Sequence, residues 1–216
     1  MCKSIKKKLS MDLNRLAECL YAGRDKSHGI KHVKKVRDTA MIISKRLNIH
    51  DPMTLIKIET AALFHDLWDH KYIDKNTEQY AIKKNKLSCG LKCRFFSEHD
   101  IKDIEIIIDN ISLTREMNLR KKNQTLNLKH LQLIRDIVSD ADKLEMLGSK
   151  GIVRIIDYQM YKFPKTKSYE LKKIVKTVYN EKISKLLSEN YIKTEPGKEM
   201  AIPLMREIDN YIKMIN

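Results

Sequence analysis

The dipeptide His65-Asp66 closes an apolar run, Ile58-Glu59-Thr60-Ala61-Ala62-Leu63-Phe64, whose spacing predicts a helix. At about 100° per residue, Ile58, Ala61, Ala62 and His65 share one face of it. An imidazole and a carboxylate are costly to desolvate, and a divalent cation compensates both at once. Adjacent residues diverge by that same angle, so they share an ion only at a helix end or a distorted turn. The turn signals after Asp66 fit such an end. A lone His-Asp pair also occurs as a capped or hydrogen-bonded core histidine. The metal reading therefore depends on ligands from distant parts of the chain.

Two other segments offer them. Ser27-His28-Gly29-Ile30-Lys31-His32 sets two histidines four apart at a helix start. His32 falls four residues before Val36 and points into the same core. Further on comes Ser139-Asp140-Ala141-Asp142-Lys143-Leu144-Glu145. Taking Ile134 as reference, Leu131, Val138 and Ala141 lie within about 60° of it, Asp142 about 80° round and Asp140 roughly 240° round. Asp142 is the better inward ligand, and an irregular turn would reverse the choice in favour of Asp140. Three helices thus each present ligand groups on an apolar face: His32, His65 with Asp66, and Asp142. Such a set leaves positions open for water and substrate. It suits octahedral Mn²⁺, Fe²⁺ or Mg²⁺ better than a closed tetrahedral zinc.

The elements that must position these groups read as helical throughout, and no 20–50-residue repeat is apparent. Helices are predicted over 11–22 (with Leu13, Leu16, Cys19 and Leu20 inward), 30–47, 52–65, 77–86, 101–111, 129–147, 152–161, 169–190 and 198–215. Asp51-Pro52 reads as an N-cap followed by an N1 proline. Segment 68–75 is predicted to be a polar loop, 114–127 a flexible one, and 163–168 resembles a linker. The expectation is all-α, one compact domain: an N-terminal helix over 1–24, a metal-binding core over 25–160, and C-terminal helices over 161–216 packed on that core.

At 216 residues, 42% apolar and 33% charged, the chain has the composition of a soluble globular protein. No window approaches the ~18 apolar residues of a membrane span, and the N-terminus lacks the apolar stretch of a secretory signal. An intracellular, cytoplasmic protein without a membrane partner is expected. Cys2, Cys19, Cys89 and Cys93 are too scattered for a disulfide framework. Cys89 and Cys93 read as two buried thiols, with a zinc site through His99 the weaker reading. The net charge of +15 points to anionic ligands. Its lysines are dispersed, and aromatics, at 6%, are not interleaved with basic residues as a base-stacking platform requires. Most of this charge reads as a solvated surface. Nucleic acid is a possible partner but not the favoured one.

The combined pattern resembles the HD-domain metal-dependent phosphohydrolases. The order H…HD…D is met by His32, His65-Asp66 and Asp142. SHGIKHVKKV is similar to the family's S-H-D-x-x-H-[IV]-x-R-V, and AALFHDLWDHKY to A-A-L-x-H-D-I-x-D-x-K-[FY]. SDADKLEMLGSKGIVR is similar to x-D-A-D-R-L-D-A-x-G-A-x-G-[IV]-x-R, and the tail resembles a subgroup of small HD hydrolases acting on nucleotides. The likeness covers roughly residues 25 to 215. It implies that His32, His65, Asp66 and Asp142 hold one divalent ion, with Asp66 catalytic as well. It also implies that Asp69, the second acid of HDxxD, orients or deprotonates the attacking water. Lys71 and Arg154 match basic positions suited to phosphoryl oxygens. His28 and Lys35 are further candidates for substrate contact, and Asp140 and Glu145 for orienting the ligands. Two positions depart from the family pattern: Gly29 replaces an acid and Lys35 an arginine. The expected reaction is hydrolysis of a phosphoanhydride of (deoxy)nucleoside triphosphates. Alternatives are a nucleotide phosphomonoesterase, or a non-catalytic basic nucleic-acid-binding helical module.

Overall fold

In the computed structural model, residues 3–25, 27–69, 73–74, 76–94 and 96–215 are described. The chain runs through α1 (Lys3–Leu20), α2 (Ile30–Arg46), α3 (Pro52–Phe64), α4 (Glu78–Lys92), α5 (Glu98–Asp109) and α6 (Leu113–Lys121). A 3₁₀ turn at Lys129–Leu131 leads into α7 (Gln132–Leu144), followed by α8 (Gly148–Lys162) and α9 (Ser168–Val178). A π-helical turn at Tyr179–Ile183 joins α9 to α10 (Lys185–Ser188), and α11 (Glu195–Met214) ends the fold. Among the described residues there is no strand, and no helix is long and apolar enough to cross a membrane.

Helix α3 is the hub because apolar residues fall on all its sides, so no face suits water. Ile56, Ile58, Ala61, Ala62, Leu63 and Phe64 are all buried. It packs against α1, α2, α5 and α7. Its start is fixed by Asp51, whose Oδ2 accepts the Thr54 amide at 2.8 Å, with Pro52 at the first helical position. Helix α2 offers the complementary stripe Val33, Val36, Ala40 and Ile43. Buried Glu59 ties α1 and α2 to α3, accepting from Ser10 Oγ and, at 3.1 Å, from Arg37 Nη1. Helix α11 lies along α7 and α8.

Several local expectations are corrected. Segment 114–127 is helical through Lys121, because Ser112 Oγ accepts the Arg115 amide at 3.4 Å and Leu113 and Glu116 are buried. The continuous helix expected over 169–190 is interrupted by the π-helical turn. Cys19, Cys89 and Cys93 are exposed, so the buried-thiol reading fails.

Helix α7 is charged on its second face, and that face is also buried. Arg135 and Lys143 are each 1% exposed. Glu116 Oε2 accepts from Arg135 Nη2 at 2.9 Å and from Lys143 Nζ at 3.2 Å, while Oε1 faces Lys193 Nζ at 3.2 Å. Arg135 Nε also donates to the Asn110 carbonyl, and Lys143 Nζ to that of Tyr191. Burial opposes ionisation of Glu116, but Lys143 and Arg135 outweigh it and hold its pKa down at about 2, from 4.5. Removing one partner of a buried pair strands the others, at a cost of about 3–5 kcal/mol. Glu116→Ala is expected to lose that much in urea denaturation at neutral pH. A depressed carboxyl stabilises above its unfolded pKa, so the Glu116→Gln deficit should be full above pH 4.5 and shrink as pH falls towards 2.

Candidate metal centre

His32 lies in the first turn of α2, His65 and Asp66 directly after α3, and Asp142 in the last turn of α7. The three helices pack closely because Val33, Ala61, Ala62, Val138 and Ala141 are small and wholly buried between them. His32 Nε2 lies 3.3 Å from His65 Nε2, 3.3 Å from Asp142 Oδ1 and 3.5 Å from Asp66 Oδ2. His65 Nε2 is 3.5 Å from Asp66 Oδ1 and 3.5 Å from Asp142 Oδ1. His65 Nδ1 is 2.8 Å from the Ala62 carbonyl and donates to it, which turns Nε2 towards the cluster. Asp66 follows His65 where the helix gives way to a turn, and both side chains reach one point.

The electrostatics of the cluster are those of a cation site. Asp66 Oδ2 and Asp142 Oδ1 are buried atoms that accept no hydrogen bond. Burial opposes ionisation of both acids. The His65 charge nevertheless holds Asp66 below the usual carboxylate range, and His65 and Arg154 do the same for Asp142. Burial also opposes protonation of His65, yet Asp66 and Asp142 overcome it and raise its pKa to about 9. His32, by contrast, is lowered to about 4 by burial and by Arg154. One imidazole is therefore charged and its neighbour neutral. Once the His65 proton is displaced, two imidazole nitrogens and two carboxylates, with Asp66 Oδ2 and Asp142 Oδ1 lacking hydrogen bonds, fit one hard divalent ion.

Other candidates surround this centre. Arg154 of α8 donates from Nε to the Ser27 carbonyl and from Nη2 to His32 Nε2, both at 2.8 Å. Its guanidinium nitrogens also lie 3.9 Å from Asp66 and 3.7 Å from Asp142. His28 Nδ1 is 2.7 Å from Ser27 Oγ, which donates to Asp25, and the His28 ring meets those of His32 and Tyr158 edge-on. Asp69 begins one turn after Asp66, its amide donating to the Asp66 carbonyl at 3.2 Å. Both His28 and Asp69 line a cavity of about 650 Å³ that opens over His65, Asp66 and Asp142. Gly29 is explained by space: a Cβ there would meet the Asp25 carbonyl oxygen at 2.6 Å.

Not every expected residue joins the site. Lys35 is exposed and faces Glu145 at 3.9 Å, away from the cavity lining. Lys71 lies outside the described residues. Asp140 is wholly buried but turns from the ligands, accepting from the amides of Lys193 and Thr194 and from Thr194 Oγ1 at 2.7–3.0 Å. It fixes the approach to α11 rather than orienting a ligand. Trp68 packs edge-on against Tyr80 and donates to Asp109 at 2.9 Å. Residues of α6 that line the cavity, Arg115, Asn118 and Leu119 among them, were missed because that segment reads as a loop.

No protein-family model matches the sequence, and no curated protein matches it. Solved structures do match in fold. YpgQ of Bacillus subtilis, solved in complex with ADP, is 19% identical with a TM-score of 0.68, over 98% of this chain and 95% of that one. A protein from Lactobacillus plantarum is 19% identical with a TM-score of 0.69, over 96% and 95%. An HD-superfamily hydrolase from Bacillus thuringiensis is 21% identical with a TM-score of 0.65, over 97% and 95%.

An ion that binds only the folded state raises the melting temperature. Mn²⁺ is therefore expected to raise that of the wild type and of Asp140→Ala, and to leave Asp142→Ala and His65→Ala unmoved. A response lost in Asp140→Ala but kept in Asp142→Ala would assign the ligand to the other aspartate. His65 holds its proton up to about pH 9, and a bound ion displaces it. Mn²⁺ affinity measured by calorimetry should accordingly rise between about pH 7 and pH 9, by up to about tenfold per unit for one displaced proton.

Proposed function

We propose that this chain, which carries the all-helical HD-type fold, is a metal-dependent phosphohydrolase acting on nucleotides. The observation that carries the reading is the cluster of His32, His65, Asp66 and Asp142, whose side chains meet at contacts of 3.3–3.5 Å, with the last three lining a nucleotide-sized cavity. His32, His65, Asp66 and Asp142 would hold one divalent ion, of the Mn²⁺, Fe²⁺ or Mg²⁺ class. When bound, such an ion supplies charge neutralisation to phosphoryl oxygens and acidifies water at the site.

The protein's own groups supply the rest. Arg154, fixed by the Ser27 carbonyl, presents a planar guanidinium beside Asp66 and Asp142, and so clamps phosphoryl oxygens bidentately. Asp69 takes the proton of the attacking water at its carboxylate. His28, with Nδ1 engaged by Ser27, lines the same cavity and would contact a phosphate oxygen. Beyond the phosphates the cavity wall turns apolar at Ile108, Leu113, Ile155 and Val178, a surface suited to a base. Arg115, Lys122 and Lys182 add positive charge along the same wall. The ADP held by the Bacillus subtilis structure of like fold supports the same class of ligand. We assign the reaction to attack at the α-phosphorus of a (deoxy)nucleoside triphosphate. The Pα–O bond to the β-phosphate breaks, giving the monophosphate and pyrophosphate.

Purified protein with Mn²⁺ should release pyrophosphate from at least one triphosphate in a panel of ribo- and deoxynucleotides. Asp66→Ala should abolish this, and Asp69→Asn should lower kcat by about 10²–10⁴ with little change in KM. Arg154→Ala should raise KM as well as lower kcat. Orthophosphate released from monophosphates instead would assign a phosphomonoesterase. No phosphate or pyrophosphate release from any nucleotide would overturn the enzyme reading.

A further inference from the structure

The chain's positive charge and its exposed aromatic rings meet at one hairpin. Tyr161, Phe163 and Tyr169 are 56%, 60% and 56% exposed. Every other described aromatic side chain of the Phe, Tyr and Trp classes is buried or half-buried. These three fall within nine consecutive positions, where α8 ends, the chain turns and α9 begins. Lys162, Lys165 and Lys167 alternate with them, Lys172 and Lys173 follow, and Glu170 is the one acid between 160 and 173. The interleaving that is missing from the chain as a whole is present here. Residues 160–169 contribute nothing to the cavity lining, so the proposed hydrolysis leaves this patch unexplained.

The turn is ordered. The Thr166 amide donates to the Phe163 carbonyl at 3.0 Å, and Thr166 Oγ1 donates to the same oxygen at 2.7 Å. Glu170 closes the start of α9 by accepting the Lys167 amide at 2.7 Å. Pro164 fixes its own φ within the turn. Rings held on a fixed scaffold lose little conformational freedom when a partner covers them. Three exposed rings set among lysines match a strand that is both aromatic and anionic, with bases for the rings and phosphates for the ammonium groups.

We propose that the α8–α9 hairpin is a docking site for single-stranded nucleic acid, with bases stacked on Tyr161, Phe163 and Tyr169 and phosphates neutralised by the intervening lysines. The cations at the tip are all lysines, point charges without the forked geometry that reads base edges, so binding is sequence-tolerant. A lipid surface fits less well. Inserting Phe163 and Pro164 would carry Lys162 and Lys165 into the acyl region, and the apex holds no Leu, Ile or Trp. A duplex fits less well too, because its bases are already stacked and their faces covered.

The test uses the full-length protein and a fluorescent oligouridine of about 20 nucleotides, followed by anisotropy. The wild type should bind, and its affinity should fall at least about tenfold between about 50 and 200 mM KCl. The triple variant Y161A/F163A/Y169A should bind at least about tenfold more weakly with an unchanged salt slope. K162Q/K165Q/K167Q should flatten the slope. Both variants should keep the wild-type circular-dichroism melt, Mn²⁺ response and nucleotide turnover, which shows that they fold. Asp66→Ala should bind the oligonucleotide as the wild type does, separating this proposal from the one for the cavity. Absence of binding overturns it. So does binding that ignores the ring substitutions, equal affinity for a duplex of the same length, or preferential binding to phosphatidylcholine vesicles containing phosphatidylserine.

Discussion

Asp66 is buried and Asp142 half-buried where α2, α3 and α7 meet, and the solvation these two carboxylates lose has to be returned by positive charge. That requirement organises the centre of the molecule. Part of the return comes from His65, which keeps its proton up to about pH 9 although burial opposes it. Part comes from Arg154, whose guanidinium lies within 4 Å of both acids. Neither group satisfies Asp66 Oδ2 or Asp142 Oδ1 with a hydrogen bond. A divalent ion on these oxygens would supply in one place the charge that a proton and a guanidinium supply from two sides. The small residues between the helices matter for the same reason. Larger side chains at Ala61, Ala62 or Ala141 would hold the ligands apart, and then no ion could reach all four.

Helix α7 carries a second charged centre, and the two differ in kind. Glu116, Arg135, Lys143 and Lys193 are mutually paired, and the remaining N–H groups of Arg135 and Lys143 find carbonyls at Asn110 and Tyr191. This cluster is complete without a ligand. It clamps α6, a wall of the cavity, to α7, which bears Asp142. Burying that much charge is weak evidence for stability, because the pairing mainly offsets desolvation. What it does give is register: the four groups match in only one placement of α6 and of the turn before α11. Ser139, donating to the Ile111 carbonyl at 2.9 Å, fastens the same junction from an adjacent position.

The helix positions that bring the candidate ligand side chains together were legible in the sequence, whereas the buried charges of α7 were not. His32, His65 and Asp142 stand out because an unpaired polar group on an apolar helical face breaks the period, and a period is visible in one dimension. Asp140 and Lys143 lie where the same count assigns solvent. They are buried because residues 191–197 and α6 happen to cover them, a tertiary fact that leaves no periodic trace. Segment 113–121 misled for a related reason: its few apolar residues read as a loop, but one capped end and one deeply buried glutamate suffice to hold a short helix in place. The thiols erred in the opposite direction. Cys89 and Cys93 share a helix face, but that face looks outward, and spacing alone does not say which side a neighbour will cover.

The route by which Arg154 reaches the ligands depends on two glycines. Between Leu144 and Gly148 the chain leaves α7 and immediately starts α8, a reversal that brings the second helix back across the end of the first. Gly148 takes φ +66°, a conformation that L side chains rarely adopt. At Gly151 a Cβ would sit 2.2 Å from the Met146 carbonyl oxygen, so only hydrogen allows the first turn of α8 to press on the loop before it. Arg154 follows three residues later, nearly one turn on, and is thereby aimed at Ser27 and His32 rather than at solvent. Without that reversal the guanidinium would be an ordinary surface charge. With it, a residue 122 positions from His32 in the chain becomes its hydrogen-bond partner, and the cavity over the candidate ligands gains a positively charged edge.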